Sequence, residues 1–356
     1  MTGVEHTRRS VIGNAIEQAQ EACQLAGLAV AVSYGNGPVD TIVVGTDEKG
    51  NLLATDSLFP IASLTKLAVA LAILRLSDQG LLSVNDPLER FVPDAAAARY
   101  GITLKQLLTH TAGLPDTAED TWTYDSKLNW RIIAQACRQI APTTSPGTRV
   151  AYSDVNYGLL AIAVEQLTGQ MFPHALEELV IRPLGIEAYL GTEPPRTPAV
   201  IVDPPDQHAG TPVEAWNTPF WRSLGEPWSG MVTTPAGTLG LLRAYFDVPE
   251  NFLRSETRAA ATSDHTGGLA GGFPWQEWDH CPWGLGPMII AEQMNHWLLP
   301  TANSGTICHG GYSGCAVFAD PIANVVWSIH GTRTGADGWC SSAFPLISAA
   351  VLASAS

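Results

Sequence analysis

The sequence predicts an α+β fold, an antiparallel sheet flanked by helices and built from both chain ends, with an inserted mainly helical domain. Three observations predict it. Strand-like runs gather near the N-terminus and return after residue 283, the stretch between them reads as helix and loop, and helical runs open and close the chain.

In chain order, a helix is expected over roughly residues 9–26, carrying Glu17, Gln18 and Glu21. Two β runs follow at 28–33 and 41–45, joined by the turn signal Gly35-Asn36-Gly37-Pro38, which reads as a hairpin. After residues 58–62 an apolar helix starts at Ser63 and runs to about Gln79, where Gly80 stops it. From 81 to 215, Pro and Gly punctuate helical signals and β-branched runs are scarce, so this segment is the expected insertion. Residues 1–80 and 216–356 then form the sheet domain, with strand signals at 283–291, 316–319 and 325–330 and an apolar helix from about Ser341. A cleft between the two domains is the natural place for a site.

Composition narrows the function. The chain has 356 residues, 46% of them hydrophobic, which is ample for a core. Its 34 acidic and 19 basic residues leave a formal charge of −15, so nucleic acid and anionic membrane surfaces are not expected partners. Arg8-Arg9 is a twin-arginine pair, but no apolar h-region follows it and no 18-residue apolar run occurs, so a soluble, cytoplasmic protein is expected. The six cysteines show no C-x-x-C pair and no regular spacing, and HExxH is absent. Buried reduced thiols are therefore expected, with no metal and no cofactor.

Ser63-Leu64-Thr65-Lys66 is an S-x-x-K motif at the start of a helix, which sets a serine and a lysine on one face. The positive end of the helix favours negative charge developing on the serine oxygen and on an attacked carbonyl. A buried lysine there can lose its proton and act as base. The same four residues also suit an N-cap serine followed by a surface lysine, although only four lysines exist (Lys49, Lys66, Lys105, Lys127).

The wider sequence resembles the serine β-lactamase-like family, in particular class C β-lactamases, D-alanyl-D-alanine carboxypeptidases and family VIII carboxylesterases. LFPIASLTKLAVALAILRLSDQGLLSVNDPLERFVPD at 58–94 is similar to the family's first block, and ITLKQLLTHTAGLP at 102–115 to its second. SPGTRVAYSDVNYGLLAIAVEQLTG at 145–169 is similar to its third, with WSGMVTTPAGTLGLL at 228–242 and HGGYSGCAVFADP at 309–321 supplying the last two. The blocks come in the family's order across roughly residues 25–335. The resemblance implies a β-lactamase/transpeptidase-like fold and a catalytic trio of Ser63, Lys66 and Tyr152, the phenol moving the proton between serine, leaving group and water. It also implies an oxyanion hole from the Ser63 and Tyr312 amides and substrate contacts at Asp154, His309, Gly310 and Gly311. In the second block, His110 is expected to be architectural. The seven tryptophans between Trp216 and Trp297 read as a mixture of core and pocket wall, with Trp228 the expected wall of an apolar acyl pocket.

Two departures direct the substrate reading. His309-Gly310-Gly311 stands where the family's lactam and peptide enzymes carry Lys-Thr-Gly, which removes a permanent cation. Asp154 stands where an asparagine would donate to an acylamide carbonyl, which an ionised carboxylate cannot do. Both favour a small-molecule ester over an anionic amide, so a carboxylesterase is expected. The alternatives are a β-lactamase, a D-amino-acid peptidase or amidase, an acyltransferase of the same fold, and an inactive scaffold homologue. The G-x-S-x-G elbow is absent.

Overall fold

The computed structural model describes residues 3–355 apart from Trp122 and residues 203–207, 292, 293, 295–298, 300 and 301. A six-stranded antiparallel sheet organises it. Its strands are β1 (Gly27–Tyr34), β2 (Asp40–Gly45), β3 (Met288–Ile289), β4 (Ile307–Gly311), β5 (Cys315–Asp320) and β6 (Val325–Gly331), in the spatial order β2-β1-β6-β5-β4-β3. The N-terminal hairpin therefore joins the C-terminal strands through β1 and β6, from Leu28 opposite Gly331 to Tyr34 opposite Val325. The sheet does draw its strands from both chain ends.

Side-chain alternation explains why helices cover both faces. Leu28, Val30 and Val32 point into one core together with Phe318, Trp327 and Ile329. That core is closed by α1 (Gly3–Cys23) through Ile12 and Ile16 and by α5 (Cys340–Ala353) through Phe344 and Ile347. Ala29 and Ala31 face the other core, where α2 (Thr65–Asp78), α3 (Asp154–Thr168) and α4 (Pro235–Arg243) pack. Period-2 strands buried on both sides give the near-continuous apolar runs seen in the sequence.

Several boundaries differ from expectation. The first helix ends at Cys23, where Gln24 turns to a φ of +52°. The expected strand at 283–291 shrinks to Met288–Ile289, with a single bridge from Trp283 to Met288. Short strands also occur where none was expected, Val150–Ala151 pairing in parallel with Gly271–Phe273. None of the six cysteines forms a disulfide, and every one except Cys23 is buried. No helix among the described residues is long and apolar enough to cross a membrane.

Candidate active site

The turn that carries Ser63 comes first. Ala62 adopts a φ of +46°, unusual for a residue with a Cβ, and opens a 3₁₀ turn, Ala62–Leu64, that leads directly into α2. This kink leaves Ser63 part-exposed while Leu64, Thr65 and Lys66 are buried. Thr65 fixes the turn, its hydroxyl donating to the Ala62 carbonyl at 2.7 Å and accepting from the Met231 amide at 3.1 Å. β4 closes over it at Gly311, where a Cβ would lie 2.4 Å from the Ile61 carbonyl oxygen. Only glycine permits that approach.

Lys66 is fully buried, and its Nζ has three neighbours: Asp154 Oδ1 at 2.7 Å, Ser63 Oγ at 3.1 Å and the Trp228 carbonyl at 3.1 Å. An ammonium spends one hydrogen on each. Of the three partners only the serine can donate in return, so an unprotonated Lys66 must turn its lone pair toward Ser63. Burial pulls the Lys66 ammonium below its ordinary range, and the Asp154 carboxylate opposes that shift.

Tyr152 borders the same pocket as Ser63, and its ring lies 4.8 Å from Lys66 Nζ. Burial holds its phenol well above the ordinary value, Asp154 adding to the effect and Ser63 opposing it. His110 holds this tyrosine from two sides. The His110 carbonyl accepts from the Ala151 amide at 2.8 Å, Nδ1 accepts from the Ser153 amide at 3.0 Å, and the imidazole stacks on the phenol at 4.5 Å between centroids. The second block thus positions the third, and the Asp154 amide extends the arrangement by donating to the Asp116 carbonyl at 2.7 Å.

His309 sits on β4 facing the same space, its ring centroid 6.3 Å from that of Tyr152. Nδ1 lies 2.9 Å from the Gly310 carbonyl oxygen, and Nε2 is buried without a hydrogen-bond partner among the described residues. Burial, helped by Lys66, pushes its pKa down to about 3, so the ring is neutral. A pocket of about 470 Å³ opens beside Ser63 and Tyr152 and is lined also by His309, Gly310, Gly311 and Tyr312. Ser63, Lys66, Tyr152, His309, Gly310, Gly311 and Tyr312 therefore come together, with the amide-bearing residues Ser63 and Tyr312 both bordering the pocket.

Two expected substrate contacts are placed otherwise. The indole of Trp228 is buried in the helical core edge-on to Trp130 and absent from the pocket lining; what reaches the site is its carbonyl. The carboxylate of Asp154 is engaged by Lys66. The aromatic pocket wall comes instead from Phe273, Trp275 and Trp283. Trp297 lies outside the described residues.

Glu226 escaped the sequence reading. It is buried two residues from Trp228, and its carboxyl accepts from Ser229 Oγ at 2.6 Å. Burial pushes its pKa up to about 8. Nothing in the residue pattern marks it except its place immediately before the 228–242 block. Asp116, raised to about 6 by desolvation and next by Asp154, likewise lies one residue beyond the 102–115 block.

Comparison with known proteins gives one answer for the fold. The family model described as Beta-lactamase matches residues 12–341. The D-alanyl-D-alanine-carboxypeptidase/endopeptidase AmpH of Escherichia coli (strain K12) is 32% identical over 169 residues, 45% of this chain and 44% of that protein. Esterase EstB of Burkholderia gladioli is 33% identical over 172 residues, 42% of this chain and 43% of that protein. The matched stretches span less than half the length of these relatives. Among solved structures, EstCE1, described as a hydrolase with promiscuous acyltransferase activity, superposes with a TM-score of 0.79 over 99% of this chain and 100% of that one, at 20% identity. At that identity the likeness is one of fold.

Proposed function

Because the chain belongs to the Beta-lactamase family, we propose that this serine hydrolase cleaves small carboxylic esters through an acyl-enzyme on Ser63. Unprotonated Lys66 accepts the Ser63 proton as Oγ attacks the ester carbonyl, and the new oxyanion lies against the Ser63 and Tyr312 amides. The C–O bond to the alcohol then breaks, and Tyr152 gives the departing oxygen its proton, recovering one from Lys66. Water repeats the sequence on the acyl-serine, returning the carboxylic acid and free enzyme.

One observation carries the ester reading. Among the described residues, none that lines the pocket beside Ser63 is Asp, Glu, Lys or Arg, and the histidine there is neutral. A β-lactam or D-alanyl peptide would bring its carboxylate to this wall and find no cation, whereas a neutral ester loses nothing. Six thiols outside any disulfide fit the reducing cytoplasm as the compartment. The test is a comparison of kcat/KM for p-nitrophenyl acetate and butyrate with those for nitrocefin and a D-alanyl-D-alanine peptide. Esters are expected to lead by at least about a hundredfold; dominance of nitrocefin or peptide would replace the ester reading and leave the fold standing.

A further inference from the structure

The pocket reaches well beyond the reacting atoms. From Ser63 and Tyr152 it passes the end of β4, where β3 pairs with Ile307 and Cys308, and continues to Cys340 and Phe344 in the first turns of α5. Its volume of about 470 Å³ compares with the ~150 Å³ apolar cavity that accepts one benzene, so it holds roughly three groups of that size. The described residues of the far wall are uncharged: burial pushes the Cys308 thiol up to about 12 and raises that of Cys340. At the mouth Trp275 is 63% exposed and lies nearly parallel to Phe273, 5.1 Å between centroids. An exposed, pre-stacked indole offers an apolar face to an incoming group.

The two sides of Ser63 differ in which catalytic groups they hold. Lys66 and Asp154 lie outside the pocket lining, whereas Tyr152 is part of it. The leaving oxygen must meet the phenol that protonates it, so the group carried by that oxygen points into the space the phenol borders. We infer that this pocket receives the alcohol half of the ester, making the substrates esters of uncharged, apolar alcohols at least the size of a hexyl chain. This rests on the ester reading above and adds to it the half of the molecule that the enzyme selects. Apolar surface buried there strengthens binding with each methylene until the pocket is filled.

The experiment uses two ester series, so that leaving-group chemistry stays constant while size changes. Acetates of ethanol, butanol and hexanol vary the alcohol; p-nitrophenyl acetate, butyrate and hexanoate vary the acyl group. Each is measured on the wild type and on Ala336→Trp and Ser341→Phe, two exposed positions on the pocket lining where bulk can be added without disturbing the core. Expected are a rise in kcat/KM of at least tenfold from ethyl to hexyl acetate in the wild type and a fall in that ratio of fivefold or more in both variants, with the acyl-series ratio moving less than twofold. A flat alcohol series in an enzyme that hydrolyses esters would overturn this inference alone, as would variant losses that follow the acyl series. Absence of turnover on every ester would remove the ester reading and this one with it.

Discussion

Asp154 Oδ1 lies 2.7 Å from Lys66 Nζ, so the lysine beside Ser63 shares its buried site with a carboxylate that favours its charged form. The proposed mechanism needs the uncharged form. Asp154 thus sets the pH at which the base becomes available. Asparagine at this position keeps the shape and removes the largest opposing charge, leaving only Asp116 and Glu226 to work against the lowering by burial. The rising limb of kcat against pH on p-nitrophenyl butyrate is therefore expected to move to lower pH in Asp154→Asn, by about one unit or more given the 1–3 units a close counter-charge is worth. A limb that stays in place, or moves upward, would mean that Lys66 is not the titrating base.

In the proposed mechanism Lys66 and Tyr152 hand over one proton, so they should fail together. Lys66→Ala and Tyr152→Phe are each expected to reduce kcat about a hundredfold or more, and the double variant to lose little beyond the worse single one. Additive losses in the double-mutant cycle would show that the two side chains act independently.

His110 acts on Tyr152 through the backbone. His110→Phe keeps a ring under the phenol but removes the Nδ1 acceptor of the Ser153 amide. A buried amide left unpaired costs about 1–3 kcal/mol, so a lower unfolding free energy in urea is expected together with a kcat loss of about tenfold and little change in KM. Unchanged kcat would confine His110 to a structural role.

Much of the fold was legible because the long elements repeat their period. β1 and β2, α2, β5, β6 and α5 all lie within a few residues of the runs that predicted them. The strand Gly271–Phe273 was not legible, since its two glycines carry φ of +139° and +152° and a Cβ on Gly271 would lie 1.9 Å from the Val150 carbonyl oxygen. Its pairing is set by a tertiary neighbour, which no local pattern reports. The site divides in the same way. Ser63, Lys66 and Tyr152 sit in motifs with characteristic spacing, whereas the lysine's third partner is a main-chain carbonyl that any residue at position 228 would supply. The pocket's depth depends on how β4 ends against α5, contacts made across distant segments.

Glu226 provides a test independent of activity. Its carboxyl rises from an ordinary 4.5 to about 8 on folding, so the folded state holds the proton more tightly than the unfolded one. The stability tied to it is complete below about pH 4.5 and is lost as pH rises through 8. Glu226→Gln, which cannot ionise, is therefore expected to show a shallower fall in Tm between pH 5 and pH 8 than the wild type, with the difference largest at pH 8. Parallel Tm curves would place Glu226 in its ionised form throughout.

The most direct measurement is a rapid acid quench of the enzyme with p-nitrophenyl butyrate, followed by mass spectrometry of the intact chain and its peptides. One butyryl group is expected on the peptide containing Ser63, formed in a burst of one p-nitrophenolate per enzyme and absent from Ser63→Ala, which should retain the wild-type fold and less than about a thousandth of the turnover. A butyryl group on Ser153, Ser229 or Ser313, or hydrolysis that persists in Ser63→Ala, would contradict the assignment of Ser63 as the nucleophile.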